Sequence, residues 1–454
     1  VFTKIAGMEG KRQKLSGWGN IPHTESDLIE IDFKDYKTIT EHFNNIIARG
    51  LGRSYADQST NTNKFVLDVT KWNEITEFDE TTGVIECQSG CSLEQIILYA
   101  APKGWFPMIC PGTKFITVGG AIANDVHGKA HHVDGSFINC VDSMKVLLAN
   151  GQVVYCSRNE NSDLFYGSFG GLGLLGVILT AKLNLRSIET SYFVQKSIPV
   201  SNLDDLLRKL DEADRQYNYS VAWVDSLAMG RNLGKGVLIV GNAASISDLP
   251  PNKKNEPLQI HKKSKVTVPF YLPSFVLNTF TVKILNSILY WKQKNSSGLS
   301  HYDTFFYPLD MINNWNRGYG KRGFIQYQFV LPEKNGKENI RKIMESITMS
   351  GCNPFLNVLK KFGSNKSGPL SFPMPGYTFA IDFPITKRLK NFTRKLDMMV
   401  LEAGGRLYLG KDAYLDADTF RQMYPEFEAF SNLKSKYDPD NIWQSDISRR
   451  LKIN

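Results

Sequence analysis

Over the first 190 residues, hydrophobic positions fall in short runs punctuated by glycine, a pattern that predicts strands and turns rather than long helices. Phe65-Val66-Leu67-Asp68-Val69 and Gly83-Val84-Ile85-Glu86-Cys87 predict two such strands. Residues 92–101 switch to helical spacing, with Ser92 as N-cap and Gln95 placed three positions on to close a capping box. Residues 143–148 and 152–156 flank Asn150-Gly151, a pair that favours a tight hairpin because both residues tolerate positive φ. Residues 174–185 predict a further strand. Near Ser187 the pattern changes to longer helical stretches such as 202–216, strands such as 323–331, and aromatic-rich connectors. After Gly404-Gly405 one more strand, 406–409, leads into a helix-rich tail with a turn at 437–441. The pattern predicts an α+β chain in three stretches, 1–190, 191–405 and 406–454, without internal repeats.

Composition narrows the class. With 454 residues, 42% of them hydrophobic, the chain exceeds one ordinary core, and two domains are expected. Charged residues make up 22%, which excludes a disordered or fibrous protein. The net charge of +9 favours an anionic ligand or surface, but no zinc, helix-turn-helix or RNA-binding signature accompanies it, so no nucleic-acid partner is expected. Cys87, Cys91, Cys110, Cys140, Cys156 and Cys352 are too sparse for a disulfide framework and read as buried thiols in a reducing compartment. Cys87 and Cys91 lack a second Cys or His pair at zinc spacing, so no metal is expected.

Residues 1–15 lack the continuous apolar core of a signal peptide. The most apolar long stretch, 266–291, contains Pro269, Pro273, Asn278, Lys283 and Asn286 and is a poor membrane span. It follows Lys253, Lys254, Lys262, Lys263 and Lys265. Two readings stand open: peripheral contact with a membrane or lipid, or a loop leading into a helix.

Three glycine-rich segments carry the candidate chemistry. In Ala48-Arg49-Gly50-Leu51-Gly52-Arg53-Ser54-Tyr55, two glycines let the backbone turn tightly, so that consecutive N–H groups and Ser54 can face a diphosphate. The six-residue glycine fingerprint of a nicotinamide-binding unit is missing. Pro111-Gly112-Thr113, followed by Thr117-Val118-Gly119-Gly120-Ala121-Ile122-Ala123-Asn124-Asp125-Val126-His127-Gly128, crowds small residues where an ordinary core uses large ones, which suits close approach to a flat ligand. The third, residues 167–176, places five glycines among buried-type Phe and Leu, unlike a flexible linker.

In this order the three segments resemble the FAD domain of the vanillyl-alcohol oxidase superfamily. The resemblance sharpens to the decaprenylphosphoryl-β-D-ribose 2'-oxidase family at residues 48–55, 118–132 with His127-Gly128-Lys129 and His131-His132, and Gly135-Ser136-Phe137. Trp315-Asn316-Arg317, Gln326-Tyr327-Gln328-Phe329, Phe355-Leu356-Asn357-Val358, 369–375 and 404–411 extend it, and it spans Gly17-Trp18-Gly19 to Arg449-Arg450.

This resemblance implies a two-part PCMH-type FAD-binding domain (1–190 and 406–454) and an inserted α+β substrate domain with an antiparallel sheet (191–405). It implies FAD contacts from Arg49, Gly50, Leu51, Gly52, Arg53, Ser54 and Tyr55; from Pro111, Gly112, Thr113, Thr117, Val118, Gly119, Ala121, Asn124, Asp125, His127 and Gly128; and from Gly173, Gly176, Val177, Ile178 and Lys411. Arg53 stands where related sugar-lactone oxidases tether the flavin through histidine, and no Cys lies in 119–128, so the flavin is expected to be non-covalent. Lys411, Tyr55 and His127 are the implied catalytic residues, and Tyr307, Tyr319, Gln328, Asn357 and Lys360 are expected to face a sugar phosphate. Family members attacked by covalent nitroaromatic inhibitors carry a Cys at the position of Ala380, so that reaction should be lost.

The implied activity is oxidation of a polyprenyl-phosphate-linked ribose at its 2-hydroxyl, completed to the arabinose lipid by a short-chain reductase partner, with a quinone or oxygen as electron acceptor. A bacterial protein at the cytoplasmic or periplasmic face of the inner membrane is expected. A soluble sugar, alditol or aldonolactone oxidase on the same fold is the alternative.

Overall fold

The structure, a computed structural model, describes residues 2–5, 8–260, 266–273, 276, 278–352 and 354–453. Lys262, Lys263 and Lys265 of the basic tract lie outside them. The architecture is α+β, built on three main sheets. The first is mixed, in the order Phe2–Ile5, Met8–Leu15, Thr24–Glu30, Phe65–Asp68, Ile46–Arg49, with the last three strands parallel. The second is antiparallel, in the order Val153–Ser157, Val141–Leu147, Val177–Ser187, Val84–Gln88, Ile75–Asp79, and Trp105–Pro107 pairs with the far end of Val177–Ser187.

Local chemistry explains the elements beside the site. Ser92 Oγ accepts from Gln95 N at 3.1 Å while Gln95 Oε1 accepts from Ser92 N at 2.9 Å, which starts the helix Leu93–Ala100 as its sequence predicts. The hairpin Val141–Leu147/Val153–Ser157 forms as expected, but with a different turn. Only Gly151 of the Asn-Gly pair takes positive φ (79°). Gly151 N donates to Leu148 O and Leu148 N to Gln152 O, while Asn150 Oδ1 accepts from Gln152 N. That is the longer hairpin loop in which a left-handed glycine follows the turn.

The third sheet has eight antiparallel strands in the order Gly298–His301, Tyr192–Val200, Gly236–Ala243, Tyr219–Val224, Asn357–Phe362, Gly376–Pro384, Phe324–Pro332, Arg406–Leu407. The helices Leu203–Ala213, Gly336–Met349 and Leu389–Glu402 back it. Arg406–Leu407 is an edge strand of this sheet, with Leu407 buried opposite Phe329, and the chain returns towards the first two sheets after it.

The return closes on the beginning of the chain. Ile46 N donates to Ile442 O, and Gln444 N to Ile46 O. From the last helix, Asp446–Leu451, Arg450 reaches Asp57 through two 2.8 Å bonds and Asp412 through a third. The carboxylate side chains retain 9% and 4% exposure and that of Arg450 23%, so water screens this triad little. Replacing Arg450 by Ala leaves two carboxylates in the interior without their cation. The expected cost is about 3–5 kcal/mol, read as a lower urea midpoint at pH 7.5 with an unchanged slope; a midpoint equal to the wild type would refute it.

Candidate functional site

A cavity of about 640 Å³ opens where the three sheets meet, within the roughly 300–1,000 Å³ of cofactor and ligand pockets. One wall is the turn that follows Ile46–Arg49: Gly50, Leu51, Gly52, Arg53, Ser54 and Tyr55. Gly52 has φ 63°, and a Cβ on Gly50 would stand 2.2 Å from Thr117 Oγ1, so side chains are refused at both positions. Thr117 caps the helix Val118–Ala123 by accepting from Gly120 N. Pro111, Gly112, Thr113, Thr117 and Gly119 continue the wall, and Gly173, Gly176 and Ile178 form the far side.

The third sheet supplies the opposite wall. Side chains alternate along a strand, so Gln326 and Gln328 face the cavity while Tyr327 and Phe329 enter the core. On the neighbouring strands Val358, Lys360 and Ala380 do the same. Ala380 lies opposite Gln328 and Val358, and puts a methyl group on the wall where the resemblance expects a thiol in inhibitor-sensitive relatives.

Lys411 enters from the C-terminal return. Its turn is held by Gln58 Nε2, which donates to Leu409 O and Asp412 O at 2.7 Å each. Lys411 Nζ donates to Gln326 Oε1, and Gln326 Nε2 donates to Asp382 Oδ1 at 2.5 Å. A lysine ammonium only donates and a carboxylate only accepts, so between those charged forms the Gln326 amide has one workable orientation. Tyr319 OH donates to the other Asp382 oxygen at 3.0 Å. Lys411 Nζ lies 5.5 Å from the Tyr55 ring centroid and 5.8 Å from that of Tyr408.

The charges here are desolvated and mostly of one sign. Burial, then repulsion from Lys360, lowers the Lys411 pKa to about 7, with Asp382 pulling the other way. Burial alone lowers Lys360 to about 8. Burial and Lys360 lower Lys129 to about 7 and His131 to about 3, and hold His127 well below the ordinary histidine value. Burial raises Asp382 to about 6 despite its bonds to Gln326 and Tyr319. Burial also keeps Tyr55 protonated well above pH 10.

Arg53 is committed to the protein. Its guanidinium lies 3.8 Å from the Trp18 ring centroid, and its Nε donates to Phe115 O at 3.2 Å. The walls fit FAD. Ser89, Asn124, His127 and Gln328 all line the cavity, and each has a buried polar side-chain atom without a protein partner. Such atoms are costly unless a ligand pairs with them, and a flavin with its ribityl and diphosphate chain offers donors and acceptors throughout. Gly112 has no atom within 4 Å of where its Cβ would stand.

Most of the expected site residues meet at this cavity; nine do not line it. Arg49 braces the glycine turn from behind, donating to Ser59 and to Ser16 O. Val118, Ala121 and Val177 are buried apolar contacts, and a Cβ on Gly128 would meet Cys110 O at 2.4 Å. Asp125, expected at the cofactor, is instead a buried fastener. Its carboxylate accepts from Ser136 Oγ, Ile138 N, Ser367 Oγ and Ser371 Oγ, because φ 41° turns it that way. Tyr307, expected at the sugar, is fully buried against Phe306, within an aromatic cluster. Tyr319 stacks on Phe324 and acts through Asp382, and Asn357 is buried in its strand.

Sequence reading missed Asp382, Gln326 as a site residue, and Asp310. Asp310 accepts from Thr113 Oγ1 and Lys114 N, and so pins the Pro-Gly-Thr loop to the second part of the chain. Gln326, two residues before Gln328 on one strand face, was findable from period-2 alternation; Asp310 carried no such signal.

Comparison with known proteins agrees with this geometry. The FAD binding domain family matches residues 21–157, and the D-arabinono-1,4-lactone oxidase family matches residues 321–451. The decaprenylphosphoryl-beta-D-ribose oxidase of Mycolicibacterium smegmatis is 37% identical over 450 residues, covering 97% of this chain and 98% of that protein. An uncharacterized protein of Streptomyces coelicolor is 30% identical over 373 residues, 80% of this chain and 100% of its own. A Delta(24)-sterol reductase of Macaca fascicularis shares 26% identity over 183 residues, 40% of this chain and 34% of its own. Likeness to the sterol reductase covers less than half of the chain, whereas likeness to the ribose oxidase covers nearly all of it. The chain is an FAD-dependent oxidoreductase and belongs to the decaprenylphosphoryl-beta-D-ribose oxidase family.

Proposed function

We propose that this protein oxidises the 2-hydroxyl of a polyprenyl-phosphate-linked ribose to a 2-keto sugar, with FAD held non-covalently. One observation carries the reading: two half-buried lysines share a cavity wall, one joined to a glutamine–aspartate chain and the other lacking a carboxylate partner among the described residues. Lys360 suits the phosphodiester, because an anion beside it removes the repulsion that now depresses its neighbours. Bound FAD supplies the two-electron acceptor.

Lys411 Nζ, neutral above about pH 7, accepts the hydroxyl proton. The ammonium so formed lies where negative charge accumulates, and Asp382 steadies it through Gln326. Tyr55, kept protonated, offers its hydroxyl as a donor, and His127, kept neutral, is held at 3.2 Å from Gln328 Nε2. The proposal extends to a short-chain reductase that consumes the keto sugar, to a quinone or oxygen as final acceptor, and to peripheral contact with a bacterial inner membrane. Among the described residues no helix is long and apolar enough to cross one.

The D-arabinono-1,4-lactone oxidase match favours a second reading, a soluble aldonolactone oxidase, but it covers residues 321–451 alone. Turnover of a short-tailed polyprenyl-phosphoryl ribose, and not of free arabinonolactone, selects the first; the reverse preference selects the second.

Acid precipitation of the purified protein is expected to release all flavin absorbance into the supernatant; colour left in the pellet would refute the role given to Arg53. Lys411→Ala should retain FAD yet slow single-turnover flavin reduction by roughly 10²–10⁴-fold; an unchanged rate would remove Lys411 from the chemistry. In the wild type that rate should rise as pH increases through about 7, since burial favours the neutral amine above that value. Asp382→Asn withdraws the negative charge that favours the ammonium, so the midpoint should move to lower pH with KM little changed. An unshifted midpoint in a folded, flavin-loaded variant would show that Asp382 is structural.

A further inference from the structure

The helix Thr279–Lys294 carries an apolar stripe that the fold leaves uncovered. Phe280 is 72% exposed, Ile284 45%, Ile288 55% and Trp291 65%. Their spacing of 4, 4 and 3 residues puts them on one face of a helix. The opposite face is anchored: Val282 is buried, Asn286 Nδ2 donates to Asp225 Oδ1 at 2.6 Å, and Lys235 lies 4.7 Å from the Tyr290 ring centroid. At 100° per residue, Lys283 and Lys294 flank the stripe on one side and Lys292 on the other, and the helix contains no Asp or Glu.

The helix lies on the same side of the third sheet as the cavity. Val358, which lines the cavity, stands opposite Trp223, Trp223 opposite Val237, and Val237 opposite Pro199, so all four share a face. Ser197, two residues from Pro199, is on that face too, and its Oγ lies 3.0 Å from Ser296 Oγ just past the helix end. On the approach to the helix, Phe270 is 61% exposed beyond Val266–Thr267, whose parallel partner is Ile312–Asn313. Thr267, Ile312 and Asn313 line the cavity.

We propose that this helix docks the protein on an anionic lipid bilayer, with its stripe at the acyl boundary, its lysines among the headgroups, and the cavity turned towards the surface that holds the substrate. Delivery of a lipid-linked sugar rests on the function proposed above; the docking itself does not. Charge selects the occupant. A second copy packed stripe to stripe would bring together lysine borders with no acidic residue on either helix to offset them, whereas anionic headgroups match those borders. An apolar face bordered by lysines is the form of an interfacial helix.

The test uses the flavin-loaded protein and co-sedimentation with vesicles of equal phosphatidylglycerol and phosphatidylcholine, or of phosphatidylcholine alone. The wild type should pellet with the anionic vesicles. Joint substitution Phe280→Ser, Ile284→Ser, Ile288→Ser and Trp291→Ser should lower partitioning about ten-fold or more, with flavin absorbance and turnover of a short-tailed soluble substrate retained. Lys283→Gln, Lys292→Gln and Lys294→Gln should weaken the preference for anionic vesicles by about five-fold per lysine. A wild type that stays in the supernatant, or a serine variant that pellets equally, overturns the proposal. So does a dimer in sedimentation velocity that the serine variant alone loses, without any vesicle binding. Vesicle binding by a protein that fails to oxidise the lipid-linked sugar upholds the docking and overturns the proposed substrate instead.

Discussion

The bond set made by Arg450 is the constraint on which the site depends. Asp57 and Arg450 are 393 residues apart in sequence, and Asp412 lies immediately after Lys411. Pulling both carboxylates onto one guanidinium brings the glycine turn of the first sheet against the C-terminal return, with Tyr55 two residues before Asp57. Gln58 repeats the tie through the carbonyls on either side of Lys411. Hydrogen-bonded charges in a poorly hydrated setting tolerate little displacement. The distance between Tyr55 and Lys411 is therefore set by Arg450 and Gln58.

The cavity also depends on an imbalance of charge. Lys129, Lys360 and Lys411 stand near one another with His127 and His131, and Asp382 is the acid that reaches Lys411, through Gln326. A protein without anionic ligands gains little from crowding cations in a desolvated wall, since each loses hydration and repels the others. Under the proposed function, a phosphate-bearing ligand makes the arrangement favourable, and the crowding lowers the energy needed to keep a lysine neutral near pH 7. Binding and proton transfer would then draw on the same charges.

Much of this was legible in the sequence because it is written in local rules. The capping box at Ser92, the hairpin at Gly151 and the glycine turns follow from backbone chemistry within a few residues. Arg53 in place of a histidine is a single-residue difference that can be read directly. What escaped was tertiary. Asp125 sits inside the most informative motif, yet its carboxylate is taken up within the fold, and its partners Ser367 and Ser371 lie more than two hundred residues away. Tyr307 resembles a pocket residue until Phe306 and its neighbours are seen to enclose it. Asp382 is two residues on from Ala380 and shares its strand face, but its contact with Gln326 exists only across the register of two strands.

The Asp125 cluster also has a mechanical consequence. It rivets the glycine-rich helix to the loop containing Ser367 and Ser371, a junction backed by Arg406 donating to Ser371 O. Asp310, accepting from Thr113 and Lys114, ties the first part of the chain to the second at another point. With Asp125 and Asp310 both bonded across the junction, the cavity walls are cross-braced by two carboxylates rather than held by apolar packing alone.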